Sequence, residues 1–302
     1  MKWTGRRESS NVEDMTGGGG GGAGGLGRLA PAGGIGTLVL GLVYYFLTGD
    51  SSVVMNSVPP SQQPGSVPAQ RDPRMAQPGN GQPQSGQGGA PQQQSPQRKF
   101  VAVVLADTED VWGQIFQKMG RTYRNPKLVL FSGQVRSACG LAGTSSGPFY
   151  CPGDEKLYLD LAFFQDLDAN YGAPGDSAQA YVIAHEVGHH VQNQLGTLDK
   201  VHNLQARVSK VQSNQLQVRV ELQADYYAGV WAHYAQKRDL LEPGDVEEAL
   251  TAASAVGDDR LQQQARGYIV PDSFTHGTSQ QRATWFNKGF QSGDVRGGDT
   301  FQ

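Results

Sequence analysis

The stretch AYVIAHEVGHHVQNQLG, residues 180–196, sets the terms for the whole chain. It places His185, His189 and His190, three of only six histidines, within one short segment. Val182, Ile183, Val187 and Val191 recur at helical spacing, with a start at Asp176 or Ser177 and a stop at Gly196. On such a helix His185 and His189 share one face and can offer two imidazole nitrogens to one ion. Glu186 then lies beside the remaining coordination position, where a carboxylate can take a proton from a bound water. Zinc suits the arrangement, because it acidifies water and polarises a carbonyl without redox chemistry. His190 points about 100° away from His189 around the helix and does not join the same ion. The plainer alternative is a row of polar residues along the exposed edge of an ordinary helix.

A catalytic zinc needs a third protein ligand. The continuation H-x-x-G-x-x-H fails here, because Gln192 stands where Gly is required and Leu195 where His is required. The segment VELQADYYAG supplies a different solution, with Glu221 and Asp225 four apart on one helix face. Glu221 can bind the metal, and Asp225 can accept a hydrogen bond from a ligand histidine and fix its tautomer. Alone, the two would be a solvated acidic pair. Near the end, His276 in THGTSQQR can donate to the oxyanion of a tetrahedral intermediate or be an exposed loop histidine. Arg282 is a weaker candidate for the same task, and His202 and His233 have no partner at ligand spacing.

The rest of the chain bounds these expectations. Its 302 residues include 41 glycines concentrated in the first third, so much of it is not core. A net charge of -3 without a basic cluster argues against a nucleic-acid surface. Gly17 to Gly22 and the Gln/Pro/Gly/Ser-rich stretch 61–97 are expected to be disordered. Between them the uncharged apolar run at about 31–49 approaches the length of a bilayer-crossing helix. A cleaved signal peptide and a buried helix of a soluble fold are the alternatives; against the first, the start is long and mixed in charge and no A-x-A site follows. Arg28 precedes the run, Asp50 follows it, and no further Lys or Arg occurs before Arg71. That asymmetry predicts a single-pass inner-membrane protein with residues 1–30 in the cytoplasm and the C-terminal domain periplasmic or otherwise extracytoplasmic. Cys139 and Cys151 bracket a short Gly/Ser/Thr-rich loop whose closure is worth about 3 kcal/mol, and a disulfide fits that compartment. A zinc pair, which wants closer spacing, and two unrelated buried thiols are the alternatives.

Four segments follow: a glycine-rich head (1–30), a transmembrane helix (31–49), a disordered linker (50–98) and a folded domain (99–302). In the last, DTEDVWGQIFQKMG is expected to be a helix capped at Asp107 or Thr108. KLVLFSG is expected to be a strand, and KLYLDLAFFQDL a strand leading into a helix. Residues 204–239 should be largely one helix, and capping boxes are expected at Asp245–Glu248 and Thr278–Gln281. Few strands followed mostly by helices indicate an α+β class, mostly helical with a small sheet.

MKWTGRRESSNVED, ACG with GPFYCPGDEKLYLD, HEVGHH, ELQADYYAG and FTHGTSQQR together resemble the bacterial neutral zinc metallopeptidases of the YpfJ-like type. The head, the apolar run and the region from about residue 99 carry the likeness, with Met15 and Thr16 departing from it where a basic pair is expected. The E-x-x-A-D element also resembles gluzincins. The resemblance implies a zincin-like fold and one Zn2+ per chain held by His185, His189 and Glu221. It further implies Glu186 as general acid/base, peptide or protein substrates, and an extracytoplasmic domain. In zincins an edge strand pairs with extended substrate; KLYLDL, with Tyr158 and Asp160, is the candidate, and an ordinary core strand the alternative. The expected function is a membrane-anchored zinc peptidase with Glu186 and His276 as its catalytic groups. A non-proteolytic zinc-holding envelope scaffold is the rival.

Overall fold

A computed structural model of the protein describes residues 1–16, 95–143 and 146–302. The expected membrane helix, residues 17–30 of the glycine-rich head and nearly all of the linker lie outside the described residues.

A four-stranded sheet anchors the fold. Its strands are β1 (Val12–Asp14), β2 (Lys127–Phe131), β5 (Phe149–Cys151) and β6 (Lys156–Asp160), in the order β1-β2-β6-β5. β1 and β6 run parallel to β2, and β5 runs antiparallel to β6. Period-two alternation divides the side chains between two faces. Leu128, Leu130, Leu157 and Leu159 point to the helices, and Val129, Phe131 and Tyr158 to the opposite side. That second side is covered by the antiparallel hairpin of β3 (Gln134–Ser137) and β4 (Gly140–Gly143). Cys139 and Cys151 form the expected disulfide, tying the hairpin turn to the end of β5.

Eight α-helices and two short 3-10 turns (Pro271–Ser273 and Val295–Gly298) complete the described chain; the α-helices are α1 (Pro96–Lys118), α2 (Ala162–Ala169), α3 (Asp176–Leu195), α4 (Thr197–Gln205), α5 (Lys210–Lys237), α6 (Asp245–Ala255), α7 (Asp258–Arg266) and α8 (Ser279–Ser292). The mostly helical α+β class agrees with the sequence. Three local expectations do not. α1 begins a dozen residues before the expected cap, at Pro96 after Ser95, whose hydroxyl accepts from the Arg98 amide. Residues 100–109 are buried all round, so no amphipathic period betrayed them. The long helix is broken before Ser209, which starts α5 with a capping box. At α6 the cap is Gly244 without a side-chain bond, because the Asp245 carboxylate instead faces the Glu242 amide and the Met1 ammonium. The Thr278–Gln281 capping box is present.

The membrane topology is also corrected. Among the described residues no helix is long and apolar enough to cross a membrane. A single crossing at 31–49 would place residues 1–16 and the C-terminal domain on opposite sides of a bilayer, yet they share one sheet and one core. β1 pairs with β2, Lys2 donates its amide to Leu240, and the Met1 ammonium meets Asp176 at 3.0 Å. A single-pass inner-membrane protein with a periplasmic domain is therefore not supported.

β6 is an interior strand, not an edge. Its Tyr158 hydroxyl donates to Asp154, and Asp160 accepts from the Ala162 and Gly133 amides. Tyr158 and Asp160 thus serve the core alternative, and β5 takes the edge position.

Candidate metal centre

α3 and α5 cross closely because small residues meet at the crossing. A Cβ built on Gly188 would stand 2.9 Å from the Ala224 carbonyl oxygen and 3.1 Å from its Cα. This contact lets α5 bring Glu221 against the histidine face of α3. Glu221 Oε2 lies 3.2 Å from His185 Nε2 and 3.6 Å from His189 Nε2. One ligand atom from each of the three lies within 4.8 Å of the others. A tetrahedral zinc with bonds of about 2.0–2.1 Å spaces its ligands by about 3.3 Å, so this donor set of two imidazoles and one carboxylate fits such an ion. Gln217 on the preceding turn donates to Glu221 Oε1 at 2.9 Å and steadies the carboxylate.

Each imidazole is held from behind. His185 Nδ1 meets Asp225 Oδ1 at 2.9 Å, and His189 Nδ1 meets Gln192 Oε1 at 2.8 Å. Asp225 is 0% exposed. It also accepts from the Tyr181 hydroxyl and, at both oxygens, from Arg282 at 2.9 and 3.0 Å. Burial alone would raise the Asp225 pKa, but the Arg282 charge and the His185 ring hold it below the usual carboxylate range. Burial would likewise lower the pKa of His185, yet Asp225 and Glu221 raise it to about 9. Glu221 is held well below its ordinary value against burial, chiefly by His189, with His185 and the charge of His276 contributing.

Glu186 is 9% exposed, and its carboxylate takes no hydrogen bond or ion pair among the described residues. At 100° per residue it lies about 60° around the helix from His189, on the flank of the ligand face.

His276 sits in the loop before α8 with its side chain 41% exposed. Asp258, the first residue of α7, gathers this loop by accepting the amides of Thr275, His276 and Gly277 and, at 3.1 Å, His276 Nδ1. Burial opposes charge on this ring, but Asp258 and Glu221 raise its pKa. His190 stays off the metal face. Buried against β5, it faces the Tyr150 hydroxyl at 3.0 Å and donates Nε2–H to the Arg124 carbonyl at 2.7 Å. His202 is exposed, and His233 bonds the Phe290 carbonyl.

A family model described as "Putative neutral zinc metallopeptidase" matches residues 1–301. The chain belongs to that family. It is 49% identical over 306 residues to a protein of Escherichia coli K12 named YpfJ, covering all of this chain and 99% of the relative. A second relative, from Mycobacterium bovis, is 44% identical over 214 residues, spanning 67% of this chain and 71% of its own. Both are called uncharacterized. No solved structure matches.

Sequence reasoning missed Tyr181, Gln192, Gln223 and Asp258, and it undervalued Arg282. For Gln192 a signal existed, since three residues after His189 is the same helix face. Tyr181 precedes His185 by four and could have been placed likewise. The partnership of Asp258 with His276 joins residues 18 apart across a loop, and no spacing rule reaches it.

Proposed function

We propose that the protein is a zinc-dependent peptidase, with His185, His189 and Glu221 holding one Zn2+ per chain. The observation that carries this reading is a buried glutamate without a partner among the described residues, beside two imidazoles and a carboxylate at ligand spacing. When bound, zinc would supply Lewis acidity, polarising a peptide carbonyl and making water easier to deprotonate.

Glu186 accepts a proton from the attacking water as its oxygen bonds to the carbonyl carbon. It then delivers that proton to the amide nitrogen as the C–N bond breaks, so acid and base are one group. His276 serves the developing oxyanion. Asp258 engages Nδ1, so Nε2 is the nitrogen left to donate. Asp225 and Gln192 keep the ligand rings turned with Nε2 toward Glu221.

Glu186→Gln tests the reading. The variant is expected to take up zinc like the wild type while peptide cleavage falls by about 10²–10⁴-fold. Wild-type turnover in that variant defeats the assignment. Full zinc loading of the wild type with no cleavage of any unfolded substrate points to a zinc-holding binding protein. His276→Ala should lose about 10²–10³-fold in turnover, the scale of one oxyanion donor, with zinc affinity retained.

A further inference from the structure

We propose that Gln192 and Gln223 are positioning residues for His189, and that the C-terminal turn Val295–Gly298 fixes their direction through the carbonyl of Gly298. The inference rests on the metal-site reading above and extends it to residues far along the chain.

Hydrogen-bond polarity sets the direction of both amides. Gln223 Nε2 donates to the Gly298 carbonyl at 2.7 Å. A carbonyl only accepts, so the amide nitrogen of Gln223 must face Gly298 and its oxygen must face the other way. That oxygen accepts from Gln192 Nε2 at 3.0 Å, and the same nitrogen donates to the Val220 carbonyl at 2.8 Å. The oxygen of Gln192 is therefore the atom presented to His189 Nδ1. An acceptor at 2.8 Å requires that Nδ1 carry the proton. Nε2 is left with its lone pair directed at the cluster with Glu221 and His185. Gln223 is thus set by the Gly298 carbonyl, and Gln192 is set twice, by the Gln223 oxygen and by the Val220 carbonyl.

Burial makes the arrangement costly to misset. Gln192 is 0% exposed and Gln223 is also buried, so a reversed amide would leave donors and acceptors facing their own kind without water. The turn is built to reach this spot. A Cβ on Gly298 would stand 2.8 Å from Tyr226 Cδ1 and 3.0 Å from Tyr227 Cε1, so only glycine lies flat enough on α5. The Tyr226 hydroxyl donates to the Asp294 carbonyl and the Thr300 hydroxyl to the Arg219 carbonyl, pinning the turn on both sides.

The two ligand histidines thus have unlike supports. His185 is backed by a carboxylate whose charge Arg282 offsets, and His189 by a neutral amide. With Glu186, Glu221 and Asp225 already buried together, a neutral partner orients the second ring without adding another anion.

Zinc affinity measured by chelator competition, together with NMR of the imidazole N–H protons, tests the proposal on the full-length chain. Gln192→Leu should weaken zinc binding by about 10–100-fold and remove the protected His189 Nδ1–H signal while that of His185 remains. Gln223→Leu and Gly298→Ala touch neither the metal ligands nor the space of the ion. They should shift the same signal and weaken zinc to a smaller degree, and they keep the test open should Gln192→Leu fail to fold. Unchanged zinc affinity with both signals intact overturns the proposal, even if zinc-dependent cleavage is found. A wild type that binds zinc with this glutamine dependence but cleaves nothing overturns only the peptidase reading. A wild type that takes no zinc overturns both.

Discussion

Arg282 shows how much of this site is decided behind the candidate ligands. Its guanidinium is buried against Asp225, bonding both carboxylate oxygens, and one of its nitrogens also meets the Tyr181 hydroxyl at 3.1 Å. Without it the Asp225 charge would be buried beside Glu221 with no fixed cation to offset it. Removing one partner of a buried pair costs about 3–5 kcal/mol, because the other is left uncompensated. Arg282→Met, which keeps much of the side-chain volume, is accordingly expected to lower the stability of the metal-free protein by that amount in urea unfolding. A change within error would mean that Asp225 is neutral or reached by water. The sequence offered Arg282 only as a remote oxyanion candidate, since nothing in a lone arginine one turn into a helix tells which carboxylate lies across the core.

At the scale of elements, the crossing of α3 and α5 is what makes a site from two motifs 36 residues apart. Gly188 occupies a helix interior, where glycine ordinarily costs up to about 1 kcal/mol relative to alanine. Here that cost is offset by close approach, because backbone of Ala224 fills the place a Cβ would take. Gly188→Ala should gain helix propensity yet force the helices apart, with an overpacking penalty of about 1–3 kcal/mol. Its melting temperature should fall and its zinc affinity with it, since Glu221 moves with α5. A variant that melts higher and binds zinc unchanged would show that the crossing has slack. That His185 and His189 share one helix face, and Glu221 and Asp225 another, was legible because helix spacing alone sets it. β2, β6 and the Thr278 capping box were legible for the same local reason, whereas the shorter β1, β3, β4 and β5 were not. α1 was not, because a helix buried on every side shows no period, and neither was the true edge of the sheet, which depends on which distant strand pairs last.

At the scale of the whole molecule, the start of the chain is part of the fold that carries the site. The Met1 ammonium lies 3.0 Å from Asp176, 3.0 Å from Glu242 and 3.3 Å from Asp245. Asp176 opens α3, which carries His185 and His189, and Asp245 opens α6, so one cation bridges the starts of two helices. Burial alone would lower the pKa of this amine, but the hydrogen bonds to Asp176 and Glu242 and the charges of Asp176 and Asp245 raise it to about 10 from an ordinary 8.0. The sign follows from the unfolded chain, where the amine has no such partners. Below pH 8 it is charged in both states and the pairing stabilises the fold in full. Between 8 and 10 the unfolded amine has released its proton while the folded one retains it, so stability declines. Above 10 the contribution is gone. Unfolding free energy measured across this range should therefore fall with rising pH, and acetylation of the amine should abolish that slope while lowering stability near neutrality. An acetylated chain as stable as the free one, or a slope that survives acetylation, would place the pH dependence elsewhere. Because the bridged helices include α3, zinc affinity should weaken over the same alkaline window in the free chain more than in one where Asp245→Asn has already reduced the pairing.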